Sequence, residues 1–176
     1  MKVPMKIVLV GLPGSGKSTF GKQLARQLNF VFVDLDQLIE KEEGCSIPEI
    51  FHNEGEGGFR KLESKYLSQV LAGIDGFVLS SGGGTPCFND NMQLINAEGI
   101  SVFLDVPIDE IKRRLLNSQL EDRPLFTGLD QGELTLKLKS LYEERLPFYE
   151  QAKIKLRGES ITPELLISEL TPIFRS

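Results

Sequence analysis

Residues 11–18 read Gly-Leu-Pro-Gly-Ser-Gly-Lys-Ser, a glycine, four residues and then Gly-Lys-Ser, which is the spacing of a phosphate-binding loop. Glycines at these intervals let successive backbone N–H groups turn inward on phosphate oxygens, and a helix starting at the same place adds its positive end. Lys17 would reach the β- and γ-phosphates, Ser18 would offer a hydroxyl to Mg²⁺, and Gly14, Ser15, Gly16 and Thr19 would complete the cradle. This pattern speaks for a nucleoside triphosphate with magnesium. It says nothing of what receives the phosphate.

Further candidates bear on the acceptor. Asp34 and Asp36 flank one leucine after an apolar run, so either could hold Mg²⁺ through water or take a proton from an attacking hydroxyl. The bland reading of an Asp there is helix capping, and the residues alone leave the base unassigned between the two. Gly82, Gly83 and Gly84 follow another apolar run, where a ligand can approach the backbone closely. Arg60 precedes Glu63 by three residues, which places both on one helical face with the carboxylate able to orient the guanidinium. Arg123 lies in Glu-Asp-Arg-Pro and Arg145 in Arg-Leu-Pro-Phe-Tyr. Any one arginine is most often a solvated surface charge; the case for these rests on their pattern.

Such residues need elements to carry them. Short apolar runs at 5–10, 30–33, 77–80, 101–106 and 153–156 read as strands. Helical periodicity fills 18–28, 57–71, 89–97, 108–117, 134–150 and 162–173, with two shorter helices at 35–43 and 48–54. Strands alternating with helices predict an α/β protein: a three-layer, doubly wound sandwich on a five-stranded parallel sheet of the phosphate-loop type. In that architecture ligands collect at the carboxyl ends of the strands, which is where the glycines and aspartates fall. The chain of 176 residues suits one domain (1–176), long enough to bury a core without disulfides or a structural metal. Of its 17 glycines, 14 lie in the first 99 residues, an excess with no collagen-like period and so placed for local backbone geometry.

Composition narrows the classes. A net charge of −5 argues against a broad nucleic-acid footprint, though not against a small basic pocket. Cys45 and Cys87 form no CxxC pattern, and His52 is the only histidine, so a disulfide framework, a zinc site and a Ser–His–Asp hydrolase are not expected. With no apolar run near membrane-spanning length and no signal-peptide pattern, a cytoplasmic monomer is expected.

Taken in order, the phosphate loop, Asp34-x-Asp36, Gly-Phe-Arg60-x-x-Glu63, the triple glycine, Arg123-Pro and Arg145-x-Pro-x-Tyr149 resemble the shikimate kinase family over residues 5–170 or so. The resemblance implies transfer of the γ-phosphate of ATP to the 3-hydroxyl of shikimate, in the route to chorismate and the aromatic amino acids. By the same resemblance Arg60 and Arg145 would clamp the shikimate carboxylate with help from Gly82 and Gly83. Asp36 would bind the ring hydroxyls and act as base, and Asp34 would hold Mg²⁺ through water, with Ser18 as direct ligand. Arg123 would enter on a lid at about 117–130 and touch the phosphates, and a segment at about 34–62 would bind shikimate. The family's adenine-packing arginine, expected at the end of the helix before the lid, is replaced by Leu116 and Asn117, leaving Arg157 as a nucleotide-side candidate. Competing readings on the same core are a gluconate kinase, which would not be expected to carry the full Arg60, triple-glycine and Arg145 set, and a nucleoside monophosphate kinase, which would need a base-recognition pocket that the sequence does not identify. A nucleotide-binding module without catalysis would have no need of these acceptor residues.

Overall fold

A computed structural model describes residues 5–73, 76–118 and 123–175. Its sheet has five strands, β1 (Lys6–Val10), β2 (Val31–Asp34), β3 (Phe77–Ser80), β4 (Ile100–Asp105) and β5 (Ile154–Arg157), in the order β2-β3-β1-β4-β5. Every pairing is parallel, with Ile7 opposite Val78 on one side of β1 and Ile100 on the other. The helices are α1 (Lys17–Leu28), α2 (Leu35–Glu43), α3 (Ile47–Leu71), α4 (Asn91–Glu98), α5 (Ile108–Leu116), α6 (Gln131–Tyr149) and α7 (Pro163–Arg175).

Alternation along β1 divides the core. Ile7 and Leu9 pack with Phe20 and Leu24 of α1 and Leu166 and Leu170 of α7. Val8 and Val10 join the larger cluster on the opposite face, with Ile39, Leu67, Ile95, Ile111 and Leu138 from α2 to α6. Successive side chains of a strand point to opposite faces, so an unbroken apolar run is what a sheet covered on both sides requires. Each fully buried Leu or Ile contributes about 1.5–3 kcal/mol to holding these layers together. The fold class is therefore the one the alternation predicts.

Differences from expectation are local. The helix expected from residue 134 starts at Gln131, because Asp130 and Glu133 form a capping box, each side chain accepting the other's backbone N–H at 2.8 Å. The separate helices expected at 48–54 and 57–71 are continuous but kinked, since Gly55 takes φ 69°, ψ −178° between them. A 3₁₀ turn at Thr85–Cys87, directly after the triple glycine, was not predicted. Within the expected lid, 119–122 lie outside the described residues, and beyond them Phe126 is buried in the core. Among the described residues no helix is long and apolar enough to cross a membrane.

Candidate active site

The site begins where β1 runs into α1. Gly16 closes the phosphate loop in the left-handed region, φ 88°, and serves as the N-cap of α1, a conformation that a side chain there would strain. Lys17 follows at once and is only 7% exposed. Its amino group donates to the carbonyls of Gly11 and Leu12 at 2.8 and 2.9 Å, so the loop holds this side chain in place. Burial pulls the Lys17 pKa down to about 7; Asp36 and Asp34 pull it up, while Arg123 and Arg145 push it lower. Both arginines are thus close enough to be felt at the loop.

β2 delivers the carboxylates. Asp34 uses one oxygen to cap α2 through the Gln37 N–H at 3.2 Å and the other to accept the Ser18 hydroxyl at 2.7 Å. The capping reading of Asp34 is thus observed, and the same carboxylate is joined to Ser18. Ser80, at the end of β3, lies 3.2 Å from the same Ser18 hydroxyl. Asp36, in the first turn of α2, has its pKa raised to about 6, chiefly by burial, then by Glu63 and Asp34, with Lys17 opposing.

The far wall joins the Arg60–Glu63 pair, expected from its spacing on one helix, to a partner distant in sequence. Glu63, 1% exposed, accepts from Arg60 Nη1 at 2.8 Å and from the Thr85 hydroxyl at 2.5 Å. The Arg60 guanidinium also lies 4.1 Å from the centre of the Phe88 ring. The triple glycine runs between these groups. A Cβ on Gly82 would come within 3.0 Å of Glu63 and 3.3 Å of Asp36. On Gly83 it would lie 2.6 Å from Pro13 and 2.9 Å from Arg145 Nη1, so a side chain there has no room between phosphate loop and arginine. Three buried side-chain atoms without a hydrogen-bond partner in the described structure are Ser15 Oγ, Arg60 Nε and Arg145 Nη1. Leaving a buried donor unpaired costs about 1–3 kcal/mol, so its presence points to a ligand that completes it.

Lys17, Ser18, Asp34, Asp36, Arg60, Gly82, Gly83 and Arg145 thus meet at the carboxyl ends of β1, β2 and β3. Arg157 stands apart. It is mostly exposed, pairs with Asp105 at 3.1 Å and also bonds Glu150. The residue that the sequence reading overlooked is Arg114. With Ser15, Gly16, Thr19, Leu104 and Val106 it lines a cleft behind the phosphate loop. Glu110 holds it at 2.9 Å, and its Nη1 donates to the Ser15 carbonyl at 3.0 Å. Its signal in the sequence is its place on α5 beside Leu115, which is buried.

A buried lysine in a phosphate loop, carboxylates beside it, and one buried and one partly buried guanidinium across a triple glycine define the class: a phosphate-loop kinase acting on a small acceptor. The family model for shikimate kinase matches residues 13–173. A shikimate kinase from a Sulfurihydrogenibium species is 42% identical over 164 residues, covering 93% of this chain and 94% of the relative. One from Bacteroides thetaiotaomicron is 43% identical over 157 residues, 89% of each chain. Among solved structures, shikimate kinase from Bacteroides thetaiotaomicron superposes with a TM-score of 0.90 at 36% identity, covering 99% of this chain and 100% of that one. Shikimate kinase from Acinetobacter baumannii in complex with shikimate gives 0.84 at 32%, covering 98% and 93%. The chain belongs to the shikimate kinase family.

Proposed function

We propose that this chain transfers the γ-phosphate of ATP to the 3-hydroxyl of shikimate, giving shikimate 3-phosphate and ADP. The observation that carries the proposal is a pair of buried, unpaired guanidinium nitrogens, Arg60 Nε and Arg145 Nη1, on the triple-glycine side of the phosphate loop. A carboxylate is the natural partner for such planar donors, and a ring acid held by them presents a hydroxyl to the phosphate.

In this reading Gly14 to Thr19 cradle the ATP phosphates, and Lys17 leaves its carbonyl partners for the β- and γ-oxygens. Arg60 and Arg145, with Gly82 and Gly83, orient shikimate. Asp36 takes the hydroxyl proton as the acceptor oxygen bonds to phosphorus and the bond from phosphorus to the bridging oxygen of ADP breaks. Its raised pKa favours this assignment over Asp34, which is already engaged with Ser18 and the start of α2. Arg123 adds charge to the transferring phosphoryl group from the lid at about 117–130. Arg114 serves the nucleoside end of the cleft, and Arg157 adds positive charge farther along that edge. The hard oxygens of Ser18 and Asp34, 2.7 Å apart, suit Mg²⁺ with phosphate and water as its remaining ligands. Ser18 would bind it directly and Asp34 through water; when bound, it neutralises phosphate charge. The segment at about 34–62 is assigned to shikimate binding, and one cytoplasmic, monomeric domain suffices for the whole reaction.

The deciding assay is ATP consumption with shikimate, gluconate or each nucleoside monophosphate. Turnover only with shikimate is expected; turnover with gluconate instead would overturn the proposal. A second expectation concerns Lys17. Its folded pKa of about 7 lies below the ordinary 10.5, so its burial costs stability increasingly as pH falls from about 10 to about 7. Phosphates restore the ammonium, so ATP binding near pH 8 should take up close to one proton. Calorimetry in buffers of different ionisation enthalpy measures this, and equal proton uptake by Lys17→Met would reject it.

A further inference from the structure

The carbonyls of the triple glycine are all tied back. Gly82 accepts from the Thr85 N–H at 3.2 Å and Gly84 from the Cys87 N–H at 2.9 Å, both within the 3₁₀ turn. Gly83 has no such local donor and accepts instead from the Tyr149 hydroxyl at 2.5 Å, 66 residues away in sequence. No hydrogen bond among the described residues uses the N–H groups of these glycines, so they are the loop's open donors. Tyr149 is fully buried, its ring centroid 5.1 Å from that of Phe103. Burial pushes its hydroxyl above the ordinary tyrosine range, so it remains a donor at any working pH. Arg145 lies one turn earlier on α6 and exerts the largest charge influence on this hydroxyl, while its Nη1 lies within 2.9 Å of where a Gly83 Cβ would be.

We infer that Tyr149 is a positioning residue for the acceptor, its hydroxyl fixing the Gly83 peptide against Arg145 so that the loop's N–H groups and the guanidinium present one preformed surface to the acceptor carboxylate. The inference rests on the assignment of Arg145 to shikimate binding. The physical reason is that the peptide plane has two orientations open to glycine, and only one points the carbonyl at Tyr149. Freed from this bond, the Gly83–Gly84 peptide can rotate, and each acceptor binding event must reselect the productive orientation. Pro13 approaches Gly83 through its ring carbons, so no hydrogen bond links the phosphate loop to this peptide.

Steady-state kinetics of the full chain and of Tyr149→Phe, with ATP and shikimate each varied, test this. Removing one buried hydrogen bond should raise KM for shikimate about five- to twentyfold. KM for ATP should stay within twofold. Phe103→Leu serves as the packing control: it loosens the same ring contact, lowering the thermal midpoint without moving KM for shikimate. An unchanged KM for shikimate in Tyr149→Phe, an equal rise in Phe103→Leu, or a Tyr149→Phe chain that fails to fold would each overturn the inference, the last by assigning the hydroxyl to stability. Failure of the unaltered chain to turn over shikimate would instead remove the underlying functional reading, and the inference with it.

Discussion

Replacing Asp36 by Asn should lower kcat by about 10²–10⁴-fold while leaving ATP affinity nearly unchanged, because the substitution removes a general base and keeps its shape. The same change should raise the thermal midpoint at neutral pH. Asp36 has a folded pKa of about 6 against an ordinary 3.8. A carboxyl raised in this way binds more protons in the folded than in the unfolded chain, so its stabilising contribution is complete below about pH 4 and is lost as pH climbs through about 6. At pH 7.5 the carboxylate is charged, buried and facing Glu63 and Asp34, and a neutral Asn relieves that strain. The unaltered chain should show kcat/KM for shikimate rising with pH through about 6 as the base ionises, and this limb should vanish in the variant. A kcat within threefold of the parent would take Asp36 out of proton transfer. A lower midpoint would show that its charge is compensated in the folded chain.

Arg145→Ala should reduce kcat/KM for shikimate by about 10²–10³-fold, the size associated with losing one partner of a buried, charge-assisted pair. Arg145 is only 7% exposed, and Nη1 has no partner in the described structure, so the desolvation of that nitrogen is not offset until a carboxylate arrives. The loss should fall mainly on KM for shikimate, with KM for ATP changing far less. Arg145→Lys should recover little, since an ammonium cannot make two parallel bonds to a planar carboxylate. A KM for shikimate within threefold of the parent in Arg145→Ala would place the carboxylate elsewhere.

These two expectations draw on information of different kinds. That Asp36 and Asp34 stand at the end of a strand is written in consecutive residues, as is the phosphate loop. Which of the two is free to move a proton is not. The proposed choice of Asp36 rests instead on Asp34 spending its oxygens on Ser18 and Gln37, and on Glu63, a residue of another helix, crowding Asp36. The helix joining 48–54 to 57–71 was legible in two pieces because Gly55 interrupts the pattern, whereas the 3₁₀ turn at Thr85–Cys87 is too short to show a period. Arg114 escaped notice because its partner, the Ser15 carbonyl, lies 99 residues back along the chain.

By itself the sequence determined the sheet's composition and the spacing of the phosphate loop, and it singled out Arg60 and Arg145 as candidates for the acceptor. Those features reside in strand and helix periodicities, in glycines that license particular backbone angles, and in a set of residues whose order along the chain is distinctive. Only the tertiary structure decided how the site is wired: Glu63 joined to Thr85, Tyr149 reaching Gly83, and Lys17 and Asp36 shifted toward one another's working range. A pKa and a long-range hydrogen bond depend on what burial and packing bring within a few ångströms, and spacing along a chain does not encode that distance.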